Sequence, residues 1–289
     1  MKMKTILFPL LKQRAICFVF LAILCSTNMF AMNQVDHYQR IFLPVYQKDG
    51  RLMIAIRVFK MNTIPSFLVV NPANLQTNVA AIHDFLPRGQ AEKDKPGYST
   101  HWLVTSTPYY QILNRSTAAP YPLENQGLTH TENLPPTQVL TIDLCPSSNP
   151  FEQAFFQQLV DLSVKTGKPT PVTLAISGIW LIDHPNEFNW LVKMNRELKL
   201  SITWANHTFS HLFYKDQPYS ENFLLDPITN LDVELLLTEQ YLLEFGETPS
   251  VFFRFPGLVS DEHLVKTIKL YGLIPLGADA WQGKITKIF

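Results

Sequence analysis

Short apolar runs separated by turn-forming residues characterise the chain from Tyr38 onward. Each run has the length of a β-strand, and three of them predict strands, at residues 41–46, 52–58 and 66–70. The first two flank a turn that contains Gly50, which indicates a β-hairpin. Residues 87–136 are rich in proline and other turn residues, so loops are predicted there. Residues 32–136 are therefore predicted to form a β-rich and loop-rich N-terminal region.

The pattern changes after residue 136, where apolar runs of strand length alternate with amphipathic stretches of helix length. Strands are predicted at residues 139–144, 172–176, 200–205, 251–254 and 274–278. Helices are predicted at residues 151–165, 186–198, 232–245 and 261–271. Such alternation indicates βαβ units, a parallel sheet and right-handed crossovers. The predicted fold class is α/β for residues 137–289, preceded by the β-rich region.

The first 31 residues are typical of an export signal. Four basic residues precede an uninterrupted apolar run at residues 15–25, and Ala31 ends a more polar stretch in a position suited to signal peptidase. The apolar run is short for a membrane span, so we expect a cleaved signal peptide and a periplasmic or secreted protein without a membrane span after cleavage. The alternative is an uncleaved N-terminal anchor. Cleavage would leave Cys145 as the one cysteine of the exported chain, without a partner for an internal disulfide.

The composition excludes some partners. Lysine plus arginine equals aspartate plus glutamate at 24 each, so charge gives no reason to expect nucleic acid or an anionic membrane surface. Hydrophobic residues make up 46% of the chain and charged residues 17%, which is enough apolar material for a sizeable core.

Polar and ionisable residues follow the predicted parallel strands, and the carboxyl ends of such strands meet at one edge of a sheet. His207 and His211 are four residues apart, and on a helical turn this spacing puts both imidazoles on one face, within reach of one metal ion such as zinc. The alternative is a pair of hydrogen-bonding histidines without a metal.

Asp143 lies in an apolar strand, where burying a carboxylate is costly unless it has a partner. It is a candidate base that takes a proton from a metal-activated water, or else a helix cap or an ion-pair partner of Arg254. Taken singly, Arg254 is equally a structural counter-ion, Asp279 a turn residue and Trp281 a core residue.

Four segments together resemble the motifs of the polysaccharide deacetylase family, carbohydrate esterase family 4. They are residues 141–146 (Thr-Ile-Asp-Leu-Cys-Pro), 207–211 (His-Thr-Phe-Ser-His), 254–256 (Arg-Phe-Pro) and 279–281 (Asp-Ala-Trp). The second segment is the most specific. The resemblance implies an irregular (β/α) barrel and a metal-dependent hydrolase that removes N-acetyl or O-acetyl groups from an extracellular or cell-wall polysaccharide.

The resemblance also implies a role for each matching residue. His207 and His211 would bind the metal, usually zinc, and Asp143 would be the general base, oriented by Arg254. Asp279 would belong to the same catalytic set. In the substrate site, a backbone amide near Cys145 would stabilise the oxyanion, Pro256 would belong to the third motif, and Trp281 would wall the acetyl pocket.

The sequence departs from the family pattern at two points. Leu144 stands where the family has a second aspartate, the third metal ligand, so a metal would have two imidazoles plus water or another group, and its affinity should fall. Asp143, Asp216 or Asp183 could substitute as the third ligand. The chain has no histidine after His263, where the family has its general acid, so we expect a barrel that is incomplete at its C-terminal end and impaired turnover. The alternative function is that of a catalytically inactive, glycan-binding relative.

Overall fold

The computed structural model describes residues 32–87, 100–130, 139–147 and 150–280. The predicted signal peptide, residues 1–31, and Trp281 lie outside the described residues. Within the described residues, no helix is both long enough and apolar enough to cross a bilayer.

Four antiparallel strands form the N-terminal sheet in the order β1-β2-β3-β4. They are β1 (Val35–Tyr46), β2 (Leu52–Met61), β3 (Ile64–Val70) and β4 (Thr77–Ala81). The predicted hairpin is confirmed: β1 pairs with β2, and Gly50 in the turn between them has a φ of 84°, a value that favours glycine. Residues 53–57 of β2 are all buried, because both faces of this central strand are covered.

The prediction of loops is wrong over part of residues 87–136, where two helices form: α1 (Thr100–Thr105) and α2 (Pro108–Ser116). The start of α2 has a clear cause, since the Thr107 side chain accepts a hydrogen bond from the Tyr110 N–H and Pro108 occupies the first helical position. Tyr109 and Leu113 are then buried on one face of the helix. The amphipathic pattern is only nine residues long in α2, which hides it among turn residues.

The second sheet has five strands, and all neighbouring pairs are parallel, as predicted. In sequence order, which is also their order in the sheet, they are β5 (Thr141–Leu144), β6 (Thr170–Ile176), β7 (Leu200–Asn206), β8 (Phe252–Phe253) and β9 (Ile274–Pro275). The last two strands are shorter than the apolar runs that predicted them. The fold of the described residues is thus mixed α/β, with one antiparallel and one parallel sheet.

Helices connect the parallel strands. They are α3 (Gln153–Thr166), α4 (Gly178–Asp183), α5 (Pro185–Arg196), α6 (Leu231–Glu244) and α7 (Glu262–Leu270). Four of them match predicted helices, whereas the short α4 was not predicted. Gly167 ends α3 at a φ of 68°, the left-handed conformation that commonly closes a helix.

Two hydrophobic clusters pack the sheets against the helices and against each other. One fills the space between the first parallel strands and helices α3 and α5. The other joins the N-terminal sheet to the second half of the chain and contains Ile54, Ile56, Tyr109, Leu113, Leu243 and Ile274. The N-terminal sheet therefore packs directly on α6 and β9, while the division of the chain at residue 136 stays a prediction.

Candidate metal centre

The carboxyl ends of three parallel strands bring the predicted site residues together. Asp143 lies near the end of β5 and Cys145 just beyond it, His207 follows β7 directly, and Arg254 follows β8. The register places Asn206 beside Phe253, so the residues that follow these two strands start side by side. This is the edge at which sites of parallel α/β proteins form.

Cys145, His207 and His211 form a cluster of possible metal ligands. The Cys145 Sγ lies 3.4 Å from His207 Nε2, and one ligand atom from each residue lies within 4.8 Å of the other two. Ligand atoms of a tetrahedral zinc ion are about 3.3–3.6 Å apart, since Zn–S is about 2.3 Å and Zn–N about 2.0–2.1 Å. The first pair already has this spacing, and the other separations in the cluster do not exceed 4.8 Å. The three residues therefore fit a zinc ion.

The His207 ring is held in the orientation that a ligand needs. Its Nδ1 lies 2.9 Å from the Arg254 carbonyl oxygen, which only accepts hydrogen bonds, so Nδ1 carries the proton. Nε2 then presents its lone pair toward Cys145. A backbone carbonyl in this position commonly fixes the tautomer of a metal-binding histidine.

Burial keeps both imidazoles neutral, the form that binds a metal. The pKa of His207, which is 1% exposed, is lowered by burial. The pKa of His211 is lowered to about 3, first by burial and then by the neighbouring His207. Burial and the nearby Asp143 raise the pKa of the Cys145 thiol to about 12. Without a bound cation the cysteine is therefore a thiol at neutral pH.

The prediction of a helical turn for residues 207–211 is wrong, although the two histidine rings do lie close, with centroids 4.7 Å apart. The segment is a non-helical bend in which Thr208 and His211 have φ values of 67° and 47°. A right-handed helix cannot contain such residues. The bend therefore brings the two histidine rings together without a helical turn.

Glu234 on α6 holds the bend. Its Oε2 accepts hydrogen bonds from the Phe209 N–H at 3.0 Å and the Ser210 N–H at 2.9 Å, and its Oε1 accepts one from the Ser210 hydroxyl at 2.6 Å. These bonds replace the intrahelical bonds that the segment lacks. Sequence reasoning missed Glu234, whose only signal was an acidic residue in the first turn of a predicted helix.

The start of α4 holds the bend from the other side. The Gly178 N–H donates to Thr208 O at 3.0 Å, and the Ile179 N–H donates to Phe209 O at 2.9 Å. A Cβ at position 178 would lie 2.1 Å from the Phe209 ring, so only glycine fits there. Gly178 is a second supporting residue that the sequence did not reveal.

Asp143 and Arg254 form the neighbouring charged pair. Arg254 Nη1 lies 3.6 Å from Asp143 Oδ1, and Arg254 Nη2 donates to the Thr141 hydroxyl at 2.8 Å. The arginine side chain is 2% exposed and the aspartate side chain 20%. Asp143 Oδ1 is itself buried, and among the described residues it has no hydrogen-bond partner, so the Arg254 guanidinium is its nearest charged neighbour.

Leu144 points away from the cluster. It is 6% exposed and packs in the core between the sheet and α3, with Phe155 and Leu159. Leu144 therefore contributes to the core and not to the ligand cluster. The third donor of the described cluster is Cys145, and neither Asp183 nor Asp216 belongs to it.

The other predicted site residues lie apart from the cluster or border it. The Asp279 side chain is 57% exposed, and its carboxylate lies 3.8 Å from His130 Nδ1. Pro256 is buried and lines a pocket of about 160 Å³ together with His211. The apolar walls of this pocket are Phe223, Leu212 and Ile228. The pocket adjoins the ligand cluster through His211, which belongs to both.

One sequence family matches the N-terminal region. Residues 36–110 match the family described as the RP012 protein N-terminal domain. The match covers β1 to β4 and α1 but not the cluster of Cys145, His207 and His211.

Among solved structures, partial similarity is found to family 4 carbohydrate esterases. One from Streptomyces lividans, in complex with acetate, is 19% identical, with a TM-score of 0.31 and coverage of 52% of this chain and 62% of that chain. One from Bacillus anthracis is 19% identical (TM-score 0.33; 47% and 56%), and a family 4 pseudoenzyme from Bacillus anthracis is 14% identical (TM-score 0.32; 47% and 41%). The chain spans less than two thirds of the length of each relative, and this likeness does not carry their activities over to it.

Proposed function

We propose that this protein is an exported, zinc-dependent hydrolase that removes acetyl groups from an N-acetylated polysaccharide. The observation that carries the proposal is the cluster of Cys145, His207 and His211 beside the Asp143–Arg254 pair at the carboxyl edge of a parallel sheet. A borderline cation next to a partly buried carboxylate is the arrangement that metal-assisted hydrolysis needs. We also propose that the parallel sheet belongs to an irregular (β/α) barrel.

Each residue has a distinct task in the proposed reaction. A bound zinc ion would act as a Lewis acid that polarises the acetyl carbonyl and acidifies water. His207 and His211 would hold the ion through neutral imidazoles, and Cys145 would hold it as a thiolate. Asp143 would accept the proton of the attacking water, and the Arg254 guanidinium, 3.6 Å from its Oδ1, would orient the carboxylate.

The donor set favours zinc over harder ions. One sulfur and two imidazole nitrogens suit a borderline-soft cation, whereas magnesium and calcium prefer oxygen ligands. A three-residue ligand set leaves a fourth position for water or substrate, as in catalytic zinc sites.

Glycan binding without turnover is a second candidate function. It is favoured by the identity of the third donor, since a thiol replaces the carboxylate that the family motif has at the end of this strand. A thiolate donates more charge to zinc than a carboxylate does, which makes the ion a weaker Lewis acid.

Acetate release separates the two functions. Purified protein is incubated with N-acetylglucosamine oligomers, with zinc or with a chelator, beside an Asp143→Asn variant. We expect zinc-dependent release of acetate, reduced by about 10²- to 10⁴-fold in Asp143→Asn because the base is lost, with zinc affinity largely retained. Zinc binding without acetate release would support the glycan-binding function, and absence of zinc binding would overturn the proposal.

A further inference from the structure

A buried arginine on the N-terminal sheet pairs with a glutamate on helix α6. Arg57 on β2 is fully buried, and its Nε and Nη2 donate to Glu239 Oε2 at 2.7 Å and Oε1 at 2.8 Å. Its Nη1 donates to the carbonyl oxygens of Ile56 and Tyr271. This bidentate pair fixes the Glu239 carboxylate in direction as well as position.

Glu239 on α6 also contacts the parallel sheet, through Asn206. Its Oε1 also accepts a hydrogen bond from Asn206 Nδ2 at 3.3 Å, and its Oε2 accepts one from the Tyr38 hydroxyl at 2.9 Å. Both carboxylate oxygens therefore accept two bonds each, and the glutamate is fully buried. A satisfied buried network of this kind is rigid.

Asn206, the last residue of β7, connects the network to the bend. Its Nδ2 donates to Leu235 O at 2.7 Å as well as to Glu239, so its Oδ1 must face the other way. There Oδ1 accepts a hydrogen bond from the Thr208 N–H at 2.9 Å. Asn206 is also fully buried, and these three bonds satisfy its buried amide group.

The hydrogen bond from the Thr208 N–H to Asn206 Oδ1 stabilises a strained position of the bend. Thr208 has a φ of 67°, which is unfavourable for a β-branched residue and persists only where the surroundings impose it. His207 lies between Asn206 and Thr208 in the chain. Fixing both neighbours fixes the backbone from which the His207 ring reaches Cys145.

We propose that Asn206, held by Glu239 and Arg57, is a positioning residue for the metal centre, so that the N-terminal sheet sets the geometry of the site. The proposal rests on the proposed function only in requiring that the centre binds zinc. Neither Asn206 nor Glu239 is a ligand. They act through the shape of the 207–211 bend.

Zinc affinity of three variants tests this role. Asn206→Ala removes the bond to Thr208, and Glu239→Gln weakens the anchor behind it. Trp204→Phe is the control: Trp204 lies on the same strand, is 2% exposed, and donates from Nε1 to Glu247 Oε2 at 2.9 Å, away from the bend. Competition with a chromophoric chelator measures the dissociation constant for Zn²⁺, at a temperature where circular dichroism shows all variants folded.

We expect a dissociation constant about 10- to 100-fold higher in Asn206→Ala, as for other groups that support metal ligands, and a smaller rise in Glu239→Gln. Trp204→Phe should lower the melting temperature but keep the wild-type affinity. Unchanged affinity in Asn206→Ala, or an equal loss in Trp204→Phe, would overturn the proposal.

A metal-free measurement keeps this test separate from the proposed function. The ¹⁵N shifts of the His207 ring report its tautomer, which Arg254 O fixes as Nδ1–H in the wild type. Asn206→Ala should show a mixture of tautomers, and Trp204→Phe should not. If the wild type fails to bind Zn²⁺, the proposed function fails while these shifts still decide whether Asn206 positions the ring; a wild-type tautomer in Asn206→Ala would contradict it.

Discussion

At the scale of single residues, the protonation of Cys145 decides between two uses of the site. A thiol beside a histidine can be a nucleophile, but only when it ionises readily. Here burial and Asp143 raise the pKa of Cys145 to about 12, while burial keeps His207 neutral. An unassisted thiolate is therefore disfavoured, whereas a cation bound by the same three side chains would deprotonate the thiol. The electrostatics favour a metal centre over a cysteine nucleophile.

Leu144→Asp is expected to destabilise the protein without strengthening zinc binding. Leu144 packs in the core, so the substitution buries a carboxylate and removes apolar contacts, at a cost of at least about 3 kcal/mol in the free energy of unfolding. Leu144→Met, which conserves volume, should cost less than about 1.5 kcal/mol. Urea unfolding and zinc titration measure both effects. Tighter zinc binding at wild-type stability would place residue 144 in the metal site.

The buried His207 and the partly buried His211 predict loss of stability in acid. Because their pKa values are lowered in the fold, that of His211 to about 3, the unfolded chain binds protons near pH 6.5 that the folded chain does not. With a chelator present, the free energy of unfolding should therefore decrease as the pH falls from about 7 to 4. His211→Asn should show a shallower decrease, because asparagine does not titrate. An unchanged slope in this variant would contradict the assignment.

The positions of Asp143, His207 and Arg254 at one edge could be predicted, because parallel strands end at a common edge and polar residues follow them. The participation of the Cys145 thiol in the ligand cluster could not be predicted. The family resemblance directed attention to position 144, and only the folded structure shows that the Cys145 side chain, just beyond β5, contacts His207.

At the scale of elements, the least predictable part is the bend at residues 207–211. A spacing of four residues has the same appearance in a helix and in a bend, and nothing local shows that Thr208 takes a positive φ. The conformation comes from long-range partners, Glu234 on one side and the start of α4 on the other. The long parallel strands and their helices were predictable because each repeats its apolar pattern over several turns or pleats.

Gly178→Ala tests this account of the bend. The added Cβ would lie 2.1 Å from the Phe209 ring, so we expect a loss of about 1–3 kcal/mol in the free energy of unfolding together with weaker zinc binding. Gly167→Ala is the control, since its φ of 68° strains alanine by about 1 kcal/mol but no atom lies within 4 Å of the new Cβ. Chemical unfolding and zinc titration compare the two. Equal zinc affinities would show that the bend does not depend on this contact.

At the scale of the whole molecule, the two sheets are joined by a shared core and by the buried Arg57–Glu239 pair. Removing one partner of such a pair typically costs about 3–5 kcal/mol, because the other charge is left buried and unpaired. Arg57 lies in an apolar strand, but nothing in the sequence shows that its partner is Glu239, which is 182 residues away. Long-range pairs of this kind are visible only once the fold is known.

X-ray absorption at the zinc edge of the loaded protein tests the central claim most directly. If Cys145, His207 and His211 bind the ion, the spectrum contains one sulfur neighbour at about 2.3 Å and nitrogen or oxygen neighbours at about 2.0–2.1 Å, with imidazole scattering beyond them. In Cys145→Asp the sulfur contribution should disappear while the imidazole features remain. A wild-type spectrum without sulfur, or one without imidazole scattering, would contradict the metal centre described here.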